Sequence, residues 1–335
     1  MQVQRISAVA APSAAALAGP SIVFEGLSGG FSRGQIAWAT LATLVAAAIL
    51  LIRAGLEIDI WTWGSMACVV GAAAILAVAG GHLKPRARYA RFARDCATYY
   101  AIFAGISLVG AVTSYPIAAL THGYADAALA RIDAAFGFDW LAWYETVAAH
   151  PILQVCGGAC YESIYLTPAI LLGWFAFKGQ RLEAHRFLAS FWVAAVLTLA
   201  LFALMPAVGP LSYLWHRPIA YMPISEVWQM DLLPNLRDHA IRGIDLGKLR
   251  GLVSAPSFHA AAGVLYMRAA WRARVLRWPL VGLAGAMLLA TPVEGTHYLA
   301  DMIIGAAVAL AAMAIVDRLL AGQSADLAPS PATAA

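Results

Sequence analysis

Long runs of apolar residues constrain the fold of this chain more than any other feature of its sequence. A helix that crosses a bilayer needs about 20 predominantly apolar residues, because each residue adds about 1.5 Å to its length. Eight segments meet or approach this requirement: 35–52, 60–80, 96–118, 151–176, 187–206, 253–270, 278–293 and 297–317. The predicted fold class is therefore all-α, a polytopic membrane helix bundle with about eight spans.

The composition supports this class and excludes several others. Of the 335 residues, 62% are hydrophobic and 12% are charged, about half of the roughly 25% charged residues usual in soluble domains. An ordinary cytosolic enzyme, a disordered chain and a nucleic-acid binder are excluded, and the net charge of +4 is too small to indicate a polyanionic partner. We expect an integral multi-pass protein of a plasma or inner membrane, whose oligomeric state stays open.

Three short basic loops indicate the orientation of the helices, since such loops remain on the cytoplasmic side. They follow the second, fourth and sixth spans. Their bases are Lys84, Arg86, Arg88, Arg91, Arg94, Lys178, Arg181, Arg186, Arg268, Arg272, Arg274 and Arg277. With eight spans all three loops face one side, which places both termini in the cytoplasm and the intervening segments outside.

Two of the outward segments carry many polar residues. Residues 119–150 are predicted to lie as an amphipathic piece at the membrane interface, with its tryptophans at headgroup depth. This piece contains Asp126, Arg131, Asp133, Asp139, Trp140 and Trp143. Residues 207–252 contain five bases, Arg217, Arg237, Arg242, Lys248 and Arg250. Two interpretations of these bases stay open: solvation of a long loop, or contact with an anionic ligand.

A histidine and an aspartate at the start of the last span form the first candidate for catalysis. His297 precedes Asp301 by four residues, so both side chains share one face of a helix. A carboxylate beside an imidazole fixes its tautomer and stabilises its charged form. Burying such a pair in a membrane is costly, which favours a functional role over a purely structural one.

A second histidine lies at the start of a short apolar segment. His259 follows Pro256, which suits the first turn of a helix, and Ser254 is a candidate cap for that turn. Ser257 offers a hydroxyl among unpaired backbone N–H groups, and such a helix start favours anions. A helix from Pro256 to about Ala270 is only about 22 Å long, which predicts a site sunk below the outer surface or a locally thinned bilayer. A structural histidine is the alternative.

The predicted topology brings these groups to one side of the membrane. The sixth and eighth spans both begin on the outer side, and residues 207–252 open onto that same face. Two imidazoles, one carboxylate, a helix N-terminus and several cations are the groups that phosphoryl transfer through a histidine requires. Glu162 in the fourth span, flanked by Tyr161 and Tyr165, is a weaker candidate that we expect to hydrogen-bond to a neighbouring helix.

Two motifs resemble those of the type 2 phosphatidic acid phosphatase superfamily. Residues 256–259 (Pro-Ser-Phe-His) resemble its Pro-Ser-x-His motif, and residues 297–305 resemble the His-x-x-x-Asp motif, with a glycine four residues further on. The His-Tyr pair at 297, the Arg-Gly-Ile-Asp segment at 242–245 and the Pro-Ala-Val-Gly-Pro segment at 206–210 are closer to the inositol phosphorylceramide synthase, or inositolphosphotransferase, branch.

The resemblance implies a domain organisation. Residues 96–320 are expected to form a six-helix catalytic membrane core, and residues 35–95 add two transmembrane helices and a basic loop. The ends are predicted to lie outside this core, with residues 1–34 disordered or interfacial and residues 321–335 disordered.

The resemblance also implies a mechanism at the outer face. His297 attacks phosphorus and becomes a phosphohistidine, while Asp301 orients it and stabilises its charge. His259 protonates the leaving oxygen and then activates the acceptor, which is water in a phosphatase and a lipid or sugar hydroxyl in a transferase. No metal or cofactor is expected, because cations and helix N–H groups neutralise the phosphoryl oxygens. The implied substrate is a phospholipid or isoprenoid phosphate, with its headgroup and acceptor open.

The sequence departs from the superfamily pattern at two phosphate clamps. The first motif, a Lys followed seven residues on by Arg-Pro, is absent, and Thr291 replaces the Arg that normally precedes the second histidine by six residues. Arg242, Lys248 and Arg250 are candidate substitutes by location, and Ser257 is a further candidate phosphate ligand. The inositolphosphotransferase branch also departs from the standard first motif, which favours that branch.

A second function from another class stays open. A non-catalytic lipid-binding or transport protein can keep the same scaffold, although the complete His–His–Asp set favours an enzyme. A vanadate-dependent haloperoxidase shares the histidines, but those enzymes are soluble.

Overall fold

The computed structural model describes residues 33–81, 89–226 and 231–326, which are almost entirely helical. The α-helices are α1 (Arg33–Ala54), α2 (Trp63–Ala79), α3 (Ala90–Leu120), α4 (Asp126–Ala135), α5 (Trp140–Ala149), α6 (Pro151–Lys178), α7 (Arg181–Leu204), α8 (Pro210–Leu214), α9 (Leu232–Arg237), α10 (Phe258–Ala270), α11 (Arg277–Glu294) and α12 (Leu299–Asp326). The remaining elements are the strands β1 (Glu57–Ile58) and β2 (Gly243–Ile244) and the 3₁₀ turns Leu246–Lys248 and Arg274–Leu276. The predicted all-α class is confirmed.

All eight predicted spans are helical, but they differ in length. Within the described residues, five helices are long and apolar enough to cross a membrane: α3, α6, α7, α11 with the turn before it, and α12. The apolar parts of the first two helices, Trp38–Ala54 and Trp63–Ala79, are shorter. Helix α10 has 13 residues. Five of the eight predicted spans therefore meet the length and composition of a membrane-crossing helix on their own.

Helix α10 lies inside the bundle, where it contacts α6, α7, α11 and α12. Its residues 260–263, three alanines and a glycine, are all buried, and such small side chains let neighbouring helices approach closely. Around it, α3, α6, α7, α11 and α12 contribute to one apolar core. The expected start of this helix at Pro256 with Ser254 as cap is wrong, because Ser257 is the N-cap and the helix begins at Phe258.

A glycine on α12 fixes how that helix meets the start of α10. A Cβ atom on Gly305 would overlap the backbone carbonyl of Ser257, so only glycine permits this approach. The backbone N–H of Ser257 donates a hydrogen bond to the carbonyl oxygen of Asp301 at 3.2 Å. The two motif-bearing helices are thereby held together at their N-terminal ends.

The first two helices are attached to the segment that precedes α10. Strands β1 and β2 pair in parallel, and the Asp245 carboxylate accepts a hydrogen bond from the Thr62 hydroxyl at 2.7 Å. This bond and a second from the backbone N–H of Gly247 lower the pKa of Asp245. Gly64 and Gly247 touch so closely that a Cβ atom on either would collide with the other's backbone. The attachment therefore sets the course of the chain toward Arg250.

Residues 119–150 contain two short helices rather than one interfacial piece. Trp140 is buried, and its indole N–H donates to the carbonyl oxygen of Pro292 at 2.7 Å, so this side chain packs within the protein. Trp143 is exposed, as an interface anchor requires.

The predicted terminal segments lie largely outside the described residues. Residues 1–32 and 327–335 are not described. Helix α12 continues to Asp326, so residues 321–326, which were expected to be disordered, are helical.

Candidate active site

His297 and Asp301 form a buried pair at the start of α12. The His297 Nδ1 atom lies 3.0 Å from Asp301 Oδ1, and the two residues are 3% and 0% exposed. The other carboxylate oxygen of Asp301 accepts the backbone N–H of Tyr298 at 2.8 Å. Because the Asp301 carboxylate is fixed by the backbone and lies at ion-pair distance from Nδ1, the Nε2 atom of His297 is the one left for chemistry.

His259 faces this pair from the first turn of α10. Its ring stacks on the ring of Tyr161, with centroids 4.0 Å apart and planes 13° apart, and its centroid is 6.4 Å from that of His297. The His259 Nε2 atom is buried and has no hydrogen-bond partner among the described residues. Gly295 leaves space for the rings of His297 and Tyr161. A Cβ atom at this position would lie 2.6 Å from the His297 ring and 2.9 Å from the Tyr161 ring.

Both histidines line one cavity of about 180 Å³, somewhat larger than the roughly 150 Å³ that holds a benzene molecule in a protein core. Its polar side chains come from several elements and include Ser107, Ser114, Glu162, Thr198, Ser225, Arg250, Ser254, His259 and His297. Its apolar wall includes Phe103, Ile106, Phe191, Leu199 and Phe258. A cavity with a reactive polar end and an apolar wall suits an amphipathic ligand.

The structure separates the predicted phosphate-binding bases. Arg250 lines the cavity with the two histidines, whereas Arg242 and Lys248 are exposed and do not line it. The reason is the strand pairing: Arg242 precedes β2, where its carbonyl oxygen accepts the backbone N–H of Glu57 at 2.9 Å. Lys248 ends the 3₁₀ turn that packs against α2.

The remaining bases of residues 207–252 are bound elsewhere in the protein. Arg217 pairs with Glu145 at 2.6 Å on the surface. Arg237 donates to Thr121 and to the carbonyl oxygen of Gly123. Contact with an anionic ligand therefore remains open for Arg250 and is not supported for these two residues.

The side chains of Ser257 and Thr291 hydrogen-bond to the backbone of their own helices. The fully buried Ser257 hydroxyl accepts the backbone N–H of Ala260 at 3.3 Å and caps α10. Thr291, which stands where the superfamily has Arg, donates its hydroxyl to the carbonyl oxygen of Met287 at 2.7 Å. Neither side chain lines the cavity, so Ser257 acts on the site through the helix start that it caps.

Two aspartates of α4 accept hydrogen bonds from backbone N–H groups near the site without lining the cavity. The sequence did not predict this role. The Asp133 carboxylate accepts the backbone N–H groups of Leu299 and Ala300 at 2.9 and 2.8 Å, which caps α12 from another helix. Burial raises the pKa of Asp133, and these two hydrogen bonds oppose that shift. Two acidic residues seven apart in a predicted amphipathic segment gave no signal that their side chains point inward.

Asp126 anchors a second loop against the same turn. Its carboxylate accepts the backbone N–H groups of Val208 and Gly209 and the hydroxyl of Tyr298, each at 3.0 Å. Gly209 has φ +88° and lies against the backbone of Thr296. The segment 206–210 therefore packs beside the turn that carries His297.

Residues 221–226 also contact that turn. The buried Glu294 carboxylate accepts the Tyr221 hydroxyl at 2.9 Å and the backbone N–H of Ile224 at 3.3 Å. Thr296 donates its hydroxyl to Glu226 at 3.1 Å, and burial raises the pKa of that carboxyl. The turn 294–297 is therefore held by two separate segments, 206–210 and 221–226.

Glu162 does not make the interhelical hydrogen bond expected of it. It lines the cavity, and within the described residues no hydrogen bond or ion pair joins it to another side chain. The side chain is thus directed to the cavity rather than to the packing of α6.

The groups gathered here can act on a phosphoryl centre. One imidazole is oriented by a carboxylate, the other has a free nitrogen across the cavity, and a guanidinium supplies positive charge. In the described part of the chain, no group of three or more His, Cys, Asp or Glu side chains is placed to hold a metal ion.

Comparison with known proteins gives one match. A family model described as the PAP2 superfamily matches residues 127–315, more than half of the chain. The matched region contains His259, His297 and Asp301 and excludes the first two helices. No curated protein and no solved structure matches the chain.

Proposed function

The chain belongs to the PAP2 superfamily, and from that premise we propose that it transfers phosphoryl groups of lipids through a phosphohistidine at His297. Membership in this superfamily indicates a helical membrane protein with phosphatase or phosphotransferase activity on lipid phosphates. The single observation that carries the mechanism is the His297 Nδ1 to Asp301 Oδ1 distance of 3.0 Å, with His259 facing the pair across the cavity.

In the first step, the lone pair of His297 Nε2 forms a bond to phosphorus while the bond from phosphorus to the leaving oxygen breaks. Protonated His259 gives its proton to that oxygen, so the alcohol leaves as a neutral molecule. The 6.4 Å between the ring centroids leaves space for one phosphoryl group in contact with both rings, because reacting atoms lie about 3–3.5 Å apart before transfer.

In the second step, His259 takes a proton from the acceptor, whose oxygen attacks phosphorus while the bond to His297 breaks. Asp301 keeps the proton on Nδ1 throughout and stabilises the charge that develops on the ring. Water as acceptor gives a free phosphate monoester or inorganic phosphate, and an alcohol as acceptor gives a new phosphoester.

The negative charge of the phosphoryl oxygens is met by Arg250 and by the N-terminal end of α10. Arg250 lines the cavity beside both histidines, which makes it the substitute for the missing superfamily clamps. The backbone N–H groups at the start of a helix also favour anions. This scheme uses no metal ion.

The more specific proposal is that the protein is an inositolphosphotransferase whose active site lies on the extracytoplasmic side. The sequence resemblance at 206–210 supports it, since that segment is anchored by Asp126 beside the turn of His297. The basic loops support the orientation.

The proposed function is tested with purified protein in detergent and a panel of phosphatidic acid, an isoprenoid phosphate and phosphatidylinositol, with and without ceramide. Release of phosphate or a headgroup, or formation of a new phosphodiester lipid, is expected from the wild type and not from His297→Ala. If neither protein acts on any lipid of the panel or on an aryl phosphate, the proposed function is wrong.

A further inference from the structure

Glu162 is a carboxylate inside the bundle whose role the two-histidine mechanism does not explain. It lies on α6, one residue after the Tyr161 ring that stacks on His259, and it lines the same cavity as both histidines. No hydrogen bond or ion pair joins it to another side chain in the described part of the chain.

An ionisable side chain within a membrane helix is costly, and it normally faces a partner or a ligand. An ionised carboxylate only accepts hydrogen bonds, so its partner in the cavity must be a donor. The phosphoryl group cannot fill this role, because its oxygens are anionic and repel the carboxylate. Besides Arg250, which lines the same cavity, a donor on another part of the substrate fills this role.

A second polar group in the cavity restricts which functional group of the substrate can bind there. Thr198 on α7 is 1% exposed and lines the cavity, and its hydroxyl has no hydrogen-bond partner among the described residues. A hydroxyl both donates and accepts, so Thr198 needs an acceptor for its own hydrogen. An ammonium group itself can only donate, and so serves Glu162 alone, whereas a hydroxyl can donate to Glu162 and accept from Thr198.

We propose that Glu162 and Thr198 form an alcohol subsite that selects substrates whose alcohol carries free hydroxyl groups besides the oxygen bonded to phosphorus. The inference rests on the proposed function and adds the residues that recognise the alcohol. Because Glu162, Thr198 and His259 line the same cavity, the subsite opens onto the space of the histidine that exchanges a proton with the alcohol oxygen. The same subsite binds a polyol that leaves phosphorus in the first step or a polyol that accepts the phosphoryl group in the second.

The experiment compares substrates that share acyl chains and differ in headgroup. Wild type, Glu162→Ala and Thr198→Val are assayed on phosphatidylinositol, phosphatidylethanolamine and an aryl phosphate, in the same detergent. For the polyol lipid, kcat/KM is expected to fall roughly 10- to 100-fold in Glu162→Ala and about 5- to 10-fold in Thr198→Val, in the range of lost hydrogen bonds to charged and neutral groups. Turnover of the aryl phosphate, which has no hydroxyls to bind, is expected to stay within about twofold.

Two matched controls separate the subsite from general effects. Thr167→Val removes another buried hydroxyl without a partner among the described residues, but Thr167 does not line the cavity. Glu145→Gln neutralises an exposed carboxylate paired with Arg217. Neither variant is expected to change the preference between the two lipids.

The leaving and accepting roles are distinguished by a second arm. Release of free inositol from phosphatidylinositol, with phosphatidic acid as the second product, reports a polyol that leaves. Phosphate transfer from phosphatidic acid to free inositol, with diacylglycerol as the second product, reports a polyol that accepts. Selective loss in either arm supports the subsite.

Three results would overturn the inference while the proposed function stands. They are an equal loss on all substrates, a selective loss on phosphatidylethanolamine, or a wild type that turns over aryl phosphate but uses a polyol in neither arm. Absence of all turnover in the wild type would instead reject the proposed function, and the inference with it.

Discussion

Asp301, in the first turn of α12, holds His297, which precedes the helix, by a contact of 3.0 Å between Oδ1 and Nδ1. The carboxylate is itself fixed by the backbone N–H of Tyr298, so its position does not depend on a ligand. This arrangement presents the opposite nitrogen of the imidazole to the cavity before any substrate binds. Preorganisation of this kind lowers the cost of reaching the transition state.

Replacing the carboxylate by an amide tests this role. Asp301→Asn keeps the shape of the side chain but removes the charge that stabilises the imidazolium, so kcat is expected to fall by several orders of magnitude, on the order of 10⁴. The thermal unfolding midpoint in detergent is expected to change little. A variant with kcat within tenfold of the wild type would show that Asp301 does not orient the nucleophile.

Arg250 is predicted to be the base that binds the phosphoryl oxygens. Arg250→Ala should lower kcat by about 10²-fold, the usual effect of losing one preorganised charge-stabilising donor. Arg242→Ala and Lys248→Ala are matched controls, because both side chains are exposed away from the cavity, and each should remain within about threefold of the wild type. A larger effect of Arg242→Ala than of Arg250→Ala would reverse this assignment.

Asp133 is predicted to position the site by capping α12. Asp133→Ala leaves the N–H groups of Leu299 and Ala300 without their acceptor, which costs about 2–6 kcal/mol if both remain buried. The expected result is a lower unfolding midpoint and a lower kcat. Asp139→Ala is the control, since that exposed aspartate caps only α5, and it should cost about 1 kcal/mol. Equal unfolding midpoints for the two variants would count against the capping role of Asp133.

The sequence was sufficient to predict the helical membrane class and the pairing of His297 with Asp301. Both predictions rest on local properties, apolar length and a spacing of four residues. The expected shared helix face is wrong, however, because His297 precedes the first helical residue, Leu299, and the turn before the helix brings the pair together. The short α10 was also foreseen, although its start was placed two residues early because Pro256 was assigned to the first turn.

The sequence could not rank the candidate phosphate ligands, because their positions depend on distant contacts. The pairing of β2 with β1 turns Arg242 outward, and only the course of the chain after Lys248 brings Arg250 to the cavity. Asp126 and Asp133 were assigned to an interfacial surface, since nothing local reveals that their partners are backbone N–H groups more than 80 residues away. Glu162 was expected to pack against a helix for the same reason.

The orientation in the membrane follows from the basic loops and is tested by labelling. In a background without the four native cysteines, a cysteine at the exposed Asp231 position should react with a membrane-impermeant thiol reagent in intact cells. A cysteine at the exposed Arg274 position should react only after lysis. The opposite labelling pattern would invert the topology and move the site to the cytoplasmic side.

The most direct measurement of the central claim is acid-labile phosphate on the protein after a brief pulse of aryl phosphate. The wild type should be labelled, and His297→Ala should carry no label, because it lacks the nitrogen that bonds to phosphorus. His259→Ala should still be labelled, since an aryl leaving group departs without protonation, while its turnover of lipid substrates is severely slowed. Label on His297→Ala together with its loss from His259→Ala would contradict the assigned roles. Absence of label from every form, with turnover intact in both mutants, would contradict the phosphohistidine mechanism itself.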